Sequence, residues 1–275
     1  MSDRPASRPR ALTIAGSDSG GGAGIQADLK TFSVLGVYGM TAVTAVTVQN
    51  TKGVSGYEAL SAQLVGDQIR AVASDVGVDA VKTGMLATAA IVEAVADAVA
   101  DLALPNLVVD PVFMSKHGHA LLAEEAVDGL RARVLPLATI VTPNLPEASG
   151  LAGFRVETRD DMRRAAGAIL GSGARAVLVK GGHLESPAGE AADLFVDGTD
   201  EEWFSAPRID TPHTHGTGCT LSAAIAAHLA RGDPLREAVR AGKAFVTEAI
   251  RRALPLGQGI GPVDQLWPVP PEGLV

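Results

Sequence analysis

Residues 214–220 read Thr-His-Gly-Thr-Gly-Cys-Thr, and the apolar run Leu-Ser-Ala-Ala-Ile-Ala-Ala-His-Leu-Ala follows at once at 221–230. The apolar run predicts a helix, so the glycines at 216 and 218 lie at its amino terminus. Glycine lets a backbone approach an anion without a Cβ in the way. Orphan N–H groups and the helix dipole favour phosphate at such a terminus. The stretch therefore predicts an anion-binding loop that opens a helix.

The only cysteine of the chain, Cys219, belongs to the same loop. A thiol at a helix amino terminus is biased toward thiolate, so we expect its pKa to lie closer to neutrality than that of a free thiol. A base beside an anion hole suggests transfer of a group to or from a phosphate. His213 and His215 lie nearby, but three such residues interrupted by glycine form a weak zinc pattern.

Composition narrows the class of protein. The chain has 275 residues, of which 47% are hydrophobic and 20% charged, which suits one large α/β domain with a sizeable core. A net charge of −8 argues against a broad surface for nucleic acid or for an anionic membrane. A single cysteine excludes an intrachain disulfide framework and favours a reducing cytoplasm. No apolar run approaches the roughly 20 residues of a membrane span.

Hydrophobic periodicity alternates between strands and helices along the chain, which predicts a mostly parallel sheet covered on both faces. We expect a single domain over residues 10–266, a loose tail at 1–9, a second tail at 267–275, and a mobile flap at 183–192. The predicted strands are 11–16, 41–50, 80–82, 107–110, 138–144 and 176–180, with a hairpin from 194–196 and 202–205. The predicted helices are 23–36, 62–75, 88–102, 158–171, 217–230 and 234–252.

Four polar residues follow predicted strands at their carboxyl ends, where an open α/β sheet places its ligands. They are Gln49, Asp110, Asn144 and Lys180. Asp110 is either a turn-capping residue or a contact to Mg²⁺, which prefers hard oxygen ligands. Lys180 is either a phosphate contact or one half of a salt bridge.

Asn144 and Glu147 stand three residues apart, so at the start of a helix they face one way. Glu147 is equally well explained as an acid that the helix dipole favours in the first turn. The pair alone does not decide between a structural and a functional role.

A second glycine-rich turn, at 20–24, contains the pattern G-x-G-x-x-A at 22–27. This pattern is typical of dinucleotide-binding loops. The expected ribose-binding acid is missing, because no Asp or Glu occurs between Asp28 and Glu58. No Gly-Lys-Ser/Thr follows either, so the turn is better explained as a tight turn or a substrate-contacting loop.

Seven motifs in order resemble the hydroxymethylpyrimidine/phosphomethylpyrimidine kinase family of thiamine biosynthesis, a branch of the ribokinase-like superfamily. The resemblance covers residues 11–264. The motifs are AGSDSGGGAGIQADLKTF (15–32), TAVTVQNT (44–51), KTGML (82–86), DPV (110–112), TPNLPEA (142–148), KGGH (180–183) and THGTGCTLSAA (214–224).

The resemblance implies a three-layer α/β/α fold, ATP and Mg²⁺ as cofactors, and a homodimer. The γ-phosphoryl group of ATP would pass to the hydroxymethyl oxygen of 4-amino-5-hydroxymethyl-2-methylpyrimidine, and a second transfer would convert the monophosphate to the diphosphate. The motif DPV is followed by Phe113, where the family pattern suggests a smaller residue, and this leaves the precise substrate preference open.

The resemblance also implies roles for individual residues. Gln49 would pair with the pyrimidine, since an amide offers both a donor and an acceptor. Cys219 would be the catalytic base, where related sugar kinases carry Asp. The other implied positions are Gly16, Ala23, Asp28, Thr47, Met85 and Val112 in the pyrimidine pocket, Asn144, Lys180 and Gly182 at ATP, Asp110 and Glu147 at the metal, and Gly216, Thr217 and Gly218 as the anion hole.

Three alternatives remain. Pyridoxal and pyridoxine are also flat N-heteroaromatics with hydroxymethyl groups, so a kinase of vitamin B6 salvage fits the same pocket logic. An NAD-dependent oxidoreductase would use the 20–27 loop but lacks the ribose acid. A non-catalytic pyrimidine-binding protein would have no need of Asp110, Lys180 and the 216–219 loop together.

Overall fold

A computed structural model describes residues 8–113, 124–182, 184, 189–198 and 200–269. Nine strands form one sheet in the order β3-β2-β1-β4-β5-β6-β7-β8-β9. The six strands from β2 to β7 in this order are parallel, and antiparallel strands complete both edges. The strands are β1 (Arg10–Ser17), β2 (Tyr38–Asn50), β3 (Gly53–Ala59), β4 (Ala80–Thr83), β5 (Leu107–Val109), β6 (Ile140–Val141), β7 (Ala176–Val179), β8 (Glu190–Asp197) and β9 (Asp200–Pro207).

Helices cover both faces of this sheet. The described helices are α1 (Gly24–Val34), α2 (Ala62–Asp75), α3 (Ala89–Asp101), α4 (Glu124–Gly129), α5 (Leu145–Ala152), α6 (Arg159–Gly171), α7 (Thr217–Ala230) and α8 (Leu235–Arg251). Successive residues of a strand point to opposite faces, and the core divides accordingly. Leu12 and Ile14 of β1 belong to the hydrophobic cluster that contains the inward faces of α2, α3 and α6, whereas Ala11 belongs to the cluster that contains those of α1, α7 and α8. The predicted mostly parallel sheet between two helical layers is confirmed.

The local sequence explains where several helices begin. Ser61 and Thr88 cap α2 and α3 by accepting a hydrogen bond from the backbone N–H three residues on. Thr158 and Asp161 form a reciprocal capping box at α6. The predicted bounds of the helices at 62–75 and 217–230 coincide with those of α2 and α7.

The predictions differ from the structure in three respects. The strand expected over 138–144 is reduced to Ile140–Val141, because Pro143 has no N–H for the ladder and the chain turns into α5. Strand β3 and helices α4 and α5 were not among the predicted elements. Residues 190–192 of the expected flap belong to β8, while 183 and 185–188 lie outside the described residues, as do 1–7 and 270–275 of the two tails.

Across the described ranges, the helices are all too short or too polar to cross a lipid bilayer.

Candidate active site

A cleft of about 2020 Å³ opens at the carboxyl ends of the parallel strands. It brings together the four strand-end residues Gln49, Asp110, Asn144 and Lys180, as expected of an open α/β sheet. All but one of the other predicted site residues also line it: Gly16, Ala23, Thr47, Met85, Val112, Glu147, Gly182, Gly216, Thr217, Gly218 and Cys219.

The loop at 214–219 forms one wall of this cleft and leads directly into α7. Gly216 has φ +82°, and a Cβ there would lie 1.8 Å from the carbonyl oxygen of Gly22, so only glycine fits. Within the described part of the chain, no side chain caps the amino terminus of α7. A Cβ placed on Gly218 would lie 3.2 Å from Lys180 Nζ. The amino terminus of α7 therefore stands beside the half-buried ammonium group of Lys180.

Lys180 occupies the centre of a charged triad on the cleft floor. Its Nζ lies 2.9 Å from Asp110 Oδ1 and 3.9 Å from Glu147 Oε2. Burial lowers the pKa of Lys180, but the charges of Asp110 and Glu147 outweigh it, and the net shift is upward. Burial raises the pKa of Glu147 to about 7, with Asp110 adding to the rise while Lys180 opposes it. The salt-bridge alternative for Lys180 is thus present in the structure.

Asn144 and Glu147 form a capping box at the start of α5. Asn144 Oδ1 accepts from the Glu147 N–H at 2.9 Å, and Glu147 Oε2 accepts from the Asn144 N–H at 2.7 Å. This reciprocal pair explains both residue types structurally. It also holds the Glu147 carboxylate at the cleft, beside Lys180.

The thiol of Cys219 does not have the lowered pKa that its position predicts. Burial raises the pKa of Cys219 to about 11; Lys82 lowers it, whereas Asp28 and Asp110 raise it further. The backbone N–H of Gly24 donates to the sulfur and favours the thiolate. The expectation from the helix terminus was wrong, because the loss of hydration at this half-buried thiolate outweighs the dipole and the nearby ammonium.

Asp28 is the one predicted pocket residue that does not line the cleft. It is completely buried, and its Oδ2 accepts from Lys82 Nζ at 2.9 Å and from Thr13 Oγ1 at 2.6 Å. Burial raises the pKa of Asp28. The sequence placed Asp28 on the expected helix α1 but gave no sign that a lysine 54 residues later would meet it beneath the cleft floor.

Lys82 is therefore a residue that sequence reasoning missed. A Cβ on Gly84 would lie 2.9 Å from Lys82 Nζ, so glycine there makes room for the ammonium. Burial lowers the pKa of Lys82, but Asp28, with smaller contributions from Cys219 and Asp110, raises it above its ordinary value. Its place at the end of a strand, in the quoted motif KTGML, was the available signal.

Asp18 and His215 form a second connection that the sequence did not reveal. His215 Nε2 lies 2.8 Å from Asp18 Oδ2 and 3.4 Å from Gln49 Nε2. The Asp18 carboxylate also accepts from the N–H groups of Gly20, Gly22 and Ala23. Because these three N–H groups already donate to Asp18, they are not available to a pyrophosphate, which explains why the G-x-G-x-x-A pattern need not bind a dinucleotide.

The zinc alternative gains no support from the geometry. Over residues 8–113, 124–182, 184, 189–198 and 200–269, no group of three or more His, Cys, Asp or Glu side chains is arranged to hold a metal ion. His213 Nδ1 instead accepts from the Gly261 N–H at 3.0 Å.

The end of the described chain closes the back of the site. Gln265 Nε2 donates to the carbonyl oxygen of Gly22 at 3.0 Å and lies 3.2 Å from Thr220 Oγ1. The backbone of His215 exchanges hydrogen bonds with Gly261 and Val263. The two glycine-rich loops are thereby fixed to one another by a third segment.

Comparison with known proteins gives consistent results. A model of the phosphomethylpyrimidine kinase family matches residues 18–264. The hydroxymethylpyrimidine/phosphomethylpyrimidine kinase of Streptomyces coelicolor is 56% identical over 263 residues, which are 96% of each chain. The ADP complex of Bacillus subtilis pyridoxal kinase superposes with a TM-score of 0.88 at 44% identity, covering 94% of this chain and 98% of that one. A phosphomethylpyrimidine kinase from Clostridium difficile gives a TM-score of 0.78 at 44% identity, covering 88% and 100%.

Proposed function

The chain belongs to the phosphomethylpyrimidine kinase family, and we propose on this premise that it phosphorylates 4-amino-5-hydroxymethyl-2-methylpyrimidine with ATP. A second transfer converts the monophosphate to the diphosphate, which places the enzyme in thiamine biosynthesis. One observation carries the proposal: a single cleft joins the Gln49 amide to the open amino terminus of α7. An amide suits an aminopyrimidine edge, and a helix terminus suits a phosphate.

On the nucleotide side, we assign binding to Asn144, Lys180 and Gly182, and the anion hole to residues 216–218. Phosphoryl transfer is mostly a matter of positioning and of stabilising charge on the transferred group. The ammonium of Lys180 is preorganised for that task by Asp110, and the helix terminus adds N–H donors beside it.

On the acceptor side, Gln49 reads the pyrimidine edge, and Gly16, Ala23, Thr47, Met85 and Val112 form the walls. Asp28 is left out of this set, because its carboxylate lies outside the cleft lining and accepts hydrogen bonds from Lys82 and Thr13. Its contribution is to hold the Lys82 ammonium near Cys219.

Magnesium fits the carboxylate pair of the triad. Asp110 and Glu147 offer hard oxygen atoms. Burial and, to a smaller extent, the charge of Asp110 raise the pKa of Glu147, so this carboxyl group gains from a cation beside it, as Lys180 already shows. Two protein carboxylates are typical of a Mg²⁺ that keeps waters and phosphate oxygens as its other ligands. Bound there, the ion would neutralise charge on the phosphates of ATP.

Cys219 is proposed, in its thiolate form, as the group that receives the proton of the substrate hydroxyl. With a pKa of about 11 the thiol is largely protonated at neutral pH. The thiolate therefore depends on Lys82 and on the Gly24 N–H for its stabilisation. A base of this kind contributes only part of the rate, since charge stabilisation at the phosphate supplies the rest.

The experiment that tests the function measures ATP consumption with Mg²⁺ on three acceptors in parallel. These are hydroxymethylpyrimidine, its monophosphate and pyridoxal. Turnover of the first two is the expected result. Turnover of pyridoxal alone would keep the fold and the site but move the function to vitamin B6 salvage. Nicotinamide absorbance changes with no ATP consumption would instead favour an oxidoreductase.

Pyridoxal kinase activity is the second candidate, and one observation favours it. The pyridoxal kinase of Bacillus subtilis superposes with a higher TM-score than the Clostridium difficile enzyme, at the same 44% identity. The 56% identity to a hydroxymethylpyrimidine/phosphomethylpyrimidine kinase over nearly the full chain favours the first candidate.

We also propose that the enzyme is a cytoplasmic homodimer. Strands β2 and β3 form one edge of the sheet, and Val46 and Val48, two residues apart on β2, are 49% and 65% exposed. Tyr57 of β3 adds a third exposed apolar side chain. Light scattering should give twice the mass of one chain, and Val48→Lys should shift the population toward the monomer; a monomeric wild-type chain would contradict the dimer.

A further inference from the structure

We propose that His215, held by Asp18, is a positioning residue that fixes the direction of the Gln49 amide and thereby selects which ring edge the acceptor pocket accepts. The inference rests on the proposed function, in which the cleft takes an aminopyrimidine. It concerns residues that touch Gln49 rather than the reacting atoms.

The first step is the proton on His215. Asp18 accepts four hydrogen bonds, three from backbone N–H groups and one from His215. Burial raises the pKa of Asp18, but the bonds from His215, Ala23 and Gly20 outweigh burial and lower it, so the group is an ionised carboxylate. An ionised carboxylate is only an acceptor. The 2.8 Å contact therefore requires a proton on His215 Nε2.

The second step concerns the hydroxyl of Thr47, which has only one proton to donate. This hydroxyl lies 2.9 Å from the carbonyl oxygen of Ser17, which can only accept, and 3.2 Å from Gln49 Oε1, while Gln49 Nε2 faces His215. A half-turn of the amide exchanges its oxygen and nitrogen, so the hydrogen bonds of the neighbours decide which end lies where. If the hydroxyl donates to Ser17, it must accept from Gln49. The other end of the amide, Gln49 Nε2, lies 3.4 Å from His215 Nε2. Because that ring nitrogen carries the proton bonded to Asp18, an amide N–H at this place opposes it, whereas an amide oxygen does not. Both neighbours thus demand the same direction: amide NH₂ toward Thr47 and amide oxygen toward His215.

The third step is what this direction does to a ligand. With one N–H given to Thr47 and one lone pair facing His215, the amide presents one N–H and one lone pair to the cleft, in a fixed order. A 4-aminopyrimidine shows a ring-nitrogen acceptor next to an amino donor. The 4-oxo analogue reverses this order, with a ring N–H next to a carbonyl. An amide that cannot turn accepts the first and opposes the second.

The test compares kcat/KM for the 4-amino substrate with that for its 4-oxo analogue. His215→Leu removes the Nε2–H and frees the amide, so the amino/oxo ratio should fall by roughly tenfold or more, since an opposed donor pair in a buried site is costly. His215→Gln places a donor near Asp18 again and should restore most of the ratio. His228→Leu is the matched control, because His228 forms a similar pair with Asp233 at 2.6 Å, at the other end of α7.

A loss of rate on both substrates with an unchanged ratio would show that His215 is merely structural, and would overturn the inference. A second measurement is independent of turnover: long-range ¹H–¹⁵N spectra of the wild-type chain should show a proton on His215 Nε2. A proton on Nδ1 alone overturns the inference even if the enzyme is active. An inactive wild-type enzyme with the Nε2 proton present would overturn the proposed substrate and leave the amide direction supported.

Discussion

Two lysines of the same sheet are each paired with an aspartate at 2.9 Å, yet their surroundings differ. Lys82 and Asp28 have side chains that are 0% exposed; Lys82 belongs to the lining of the cleft, and Asp28 lies beneath it. Lys180 keeps 15% of its side chain exposed at the cleft, and Asp110 shares it with Glu147.

The charges of the first pair have no contact with solvent, whereas a ligand in the cleft can reach the ammonium of Lys180. Each charge of a fully buried pair has lost its hydration and is stabilised only by the opposite charge and its hydrogen bonds. In the triad, two carboxylates face one ammonium, so a phosphate or a cation that enters can exchange partners with the protein. We call these two groups the sealed pair (Lys82 and Asp28) and the open triad (Lys180, Asp110 and Glu147).

The largest effect is expected from breaking the sealed pair. Lys82→Met leaves the Asp28 carboxylate buried without its cation, and should lower the free energy of unfolding by about 3–5 kcal/mol. Urea denaturation measures this loss. The double variant Lys82→Met/Asp28→Leu removes both charges and should recover much of the stability. A single variant as stable as wild type would show that the pair contributes nothing to folding.

Removing the lysine of the open triad should affect activity more than stability. Lys180→Met deletes a preorganised positive charge at the phosphates, and kcat/KM should fall by about 10²–10³-fold. The loss of stability should be smaller than for Lys82→Met, because Glu147 already has a pKa of about 7 and takes up a proton instead. Steady-state kinetics beside urea denaturation checks both parts. A larger loss of stability in Lys180→Met than in Lys82→Met, with the larger loss of activity in Lys82→Met, would contradict the comparison.

Cys219 affects the pKa of both lysines, and its substitution sharpens the comparison. We expect Cys219→Ser to be slower by about 10²-fold, the scale of general-base catalysis, with nearly intact ATP binding. Kinetics and calorimetric titration with ATP measure the two quantities. Wild-type turnover in this variant would remove Cys219 from the role of base.

The thiol itself can be titrated, because Cys219 is the only cysteine of the chain. Burial raises its pKa to about 11, so alkylation by iodoacetamide should be slow at pH 7 and should accelerate up to pH 10. The Ser variant is the blank for this reaction. Fast alkylation at pH 7 would instead support the lowered pKa that the helix terminus predicts.

The smallest effect should come from Glu147→Gln, and it depends on pH. The native pKa of about 7 exceeds the ordinary value of 4.5, so the folded state binds more protons than the unfolded one between those values. Stability from this group is therefore lost as the pH rises from 4.5 to 7. Between pH 5 and pH 8, the free energy of unfolding of the Gln variant should rise relative to that of the wild type by on the order of 1–3 kcal/mol. A difference in the free energy of unfolding that stays constant with pH would show that the pKa of Glu147 is not raised by folding.

The sequence predicted the part of the site that follows from the sheet. Gln49, Asp110, Asn144 and Lys180 each follow a strand, and parallel strands bring their carboxyl ends to one edge. Loop residues 216–218 were found because glycine and a helix start have a local signature. Both kinds of signal are visible within a few residues of chain.

The parts that the sequence did not reveal depend on contacts between distant residues or on burial. Asp28 meets Lys82, and Asp18 meets His215 at a separation of 197 residues, neither of which leaves a local pattern. The raised pKa of Cys219 follows from desolvation, which has no counterpart in the order of residues. Strand β3 was missed because its exposed edge position leaves little hydrophobic alternation.

The bond from Gln265 to Gly22 joins residues 243 positions apart, and it links the two glycine-rich loops. During synthesis the first loop leaves the ribosome long before the segment that fixes it. Contacts of such sequence separation are reached late in folding, after the entropy of closing the intervening chain has been overcome. The loops around the acceptor pocket are thus among the last parts of the molecule to be fixed, because a nascent chain without residues 261–265 lacks the hydrogen bonds that join them.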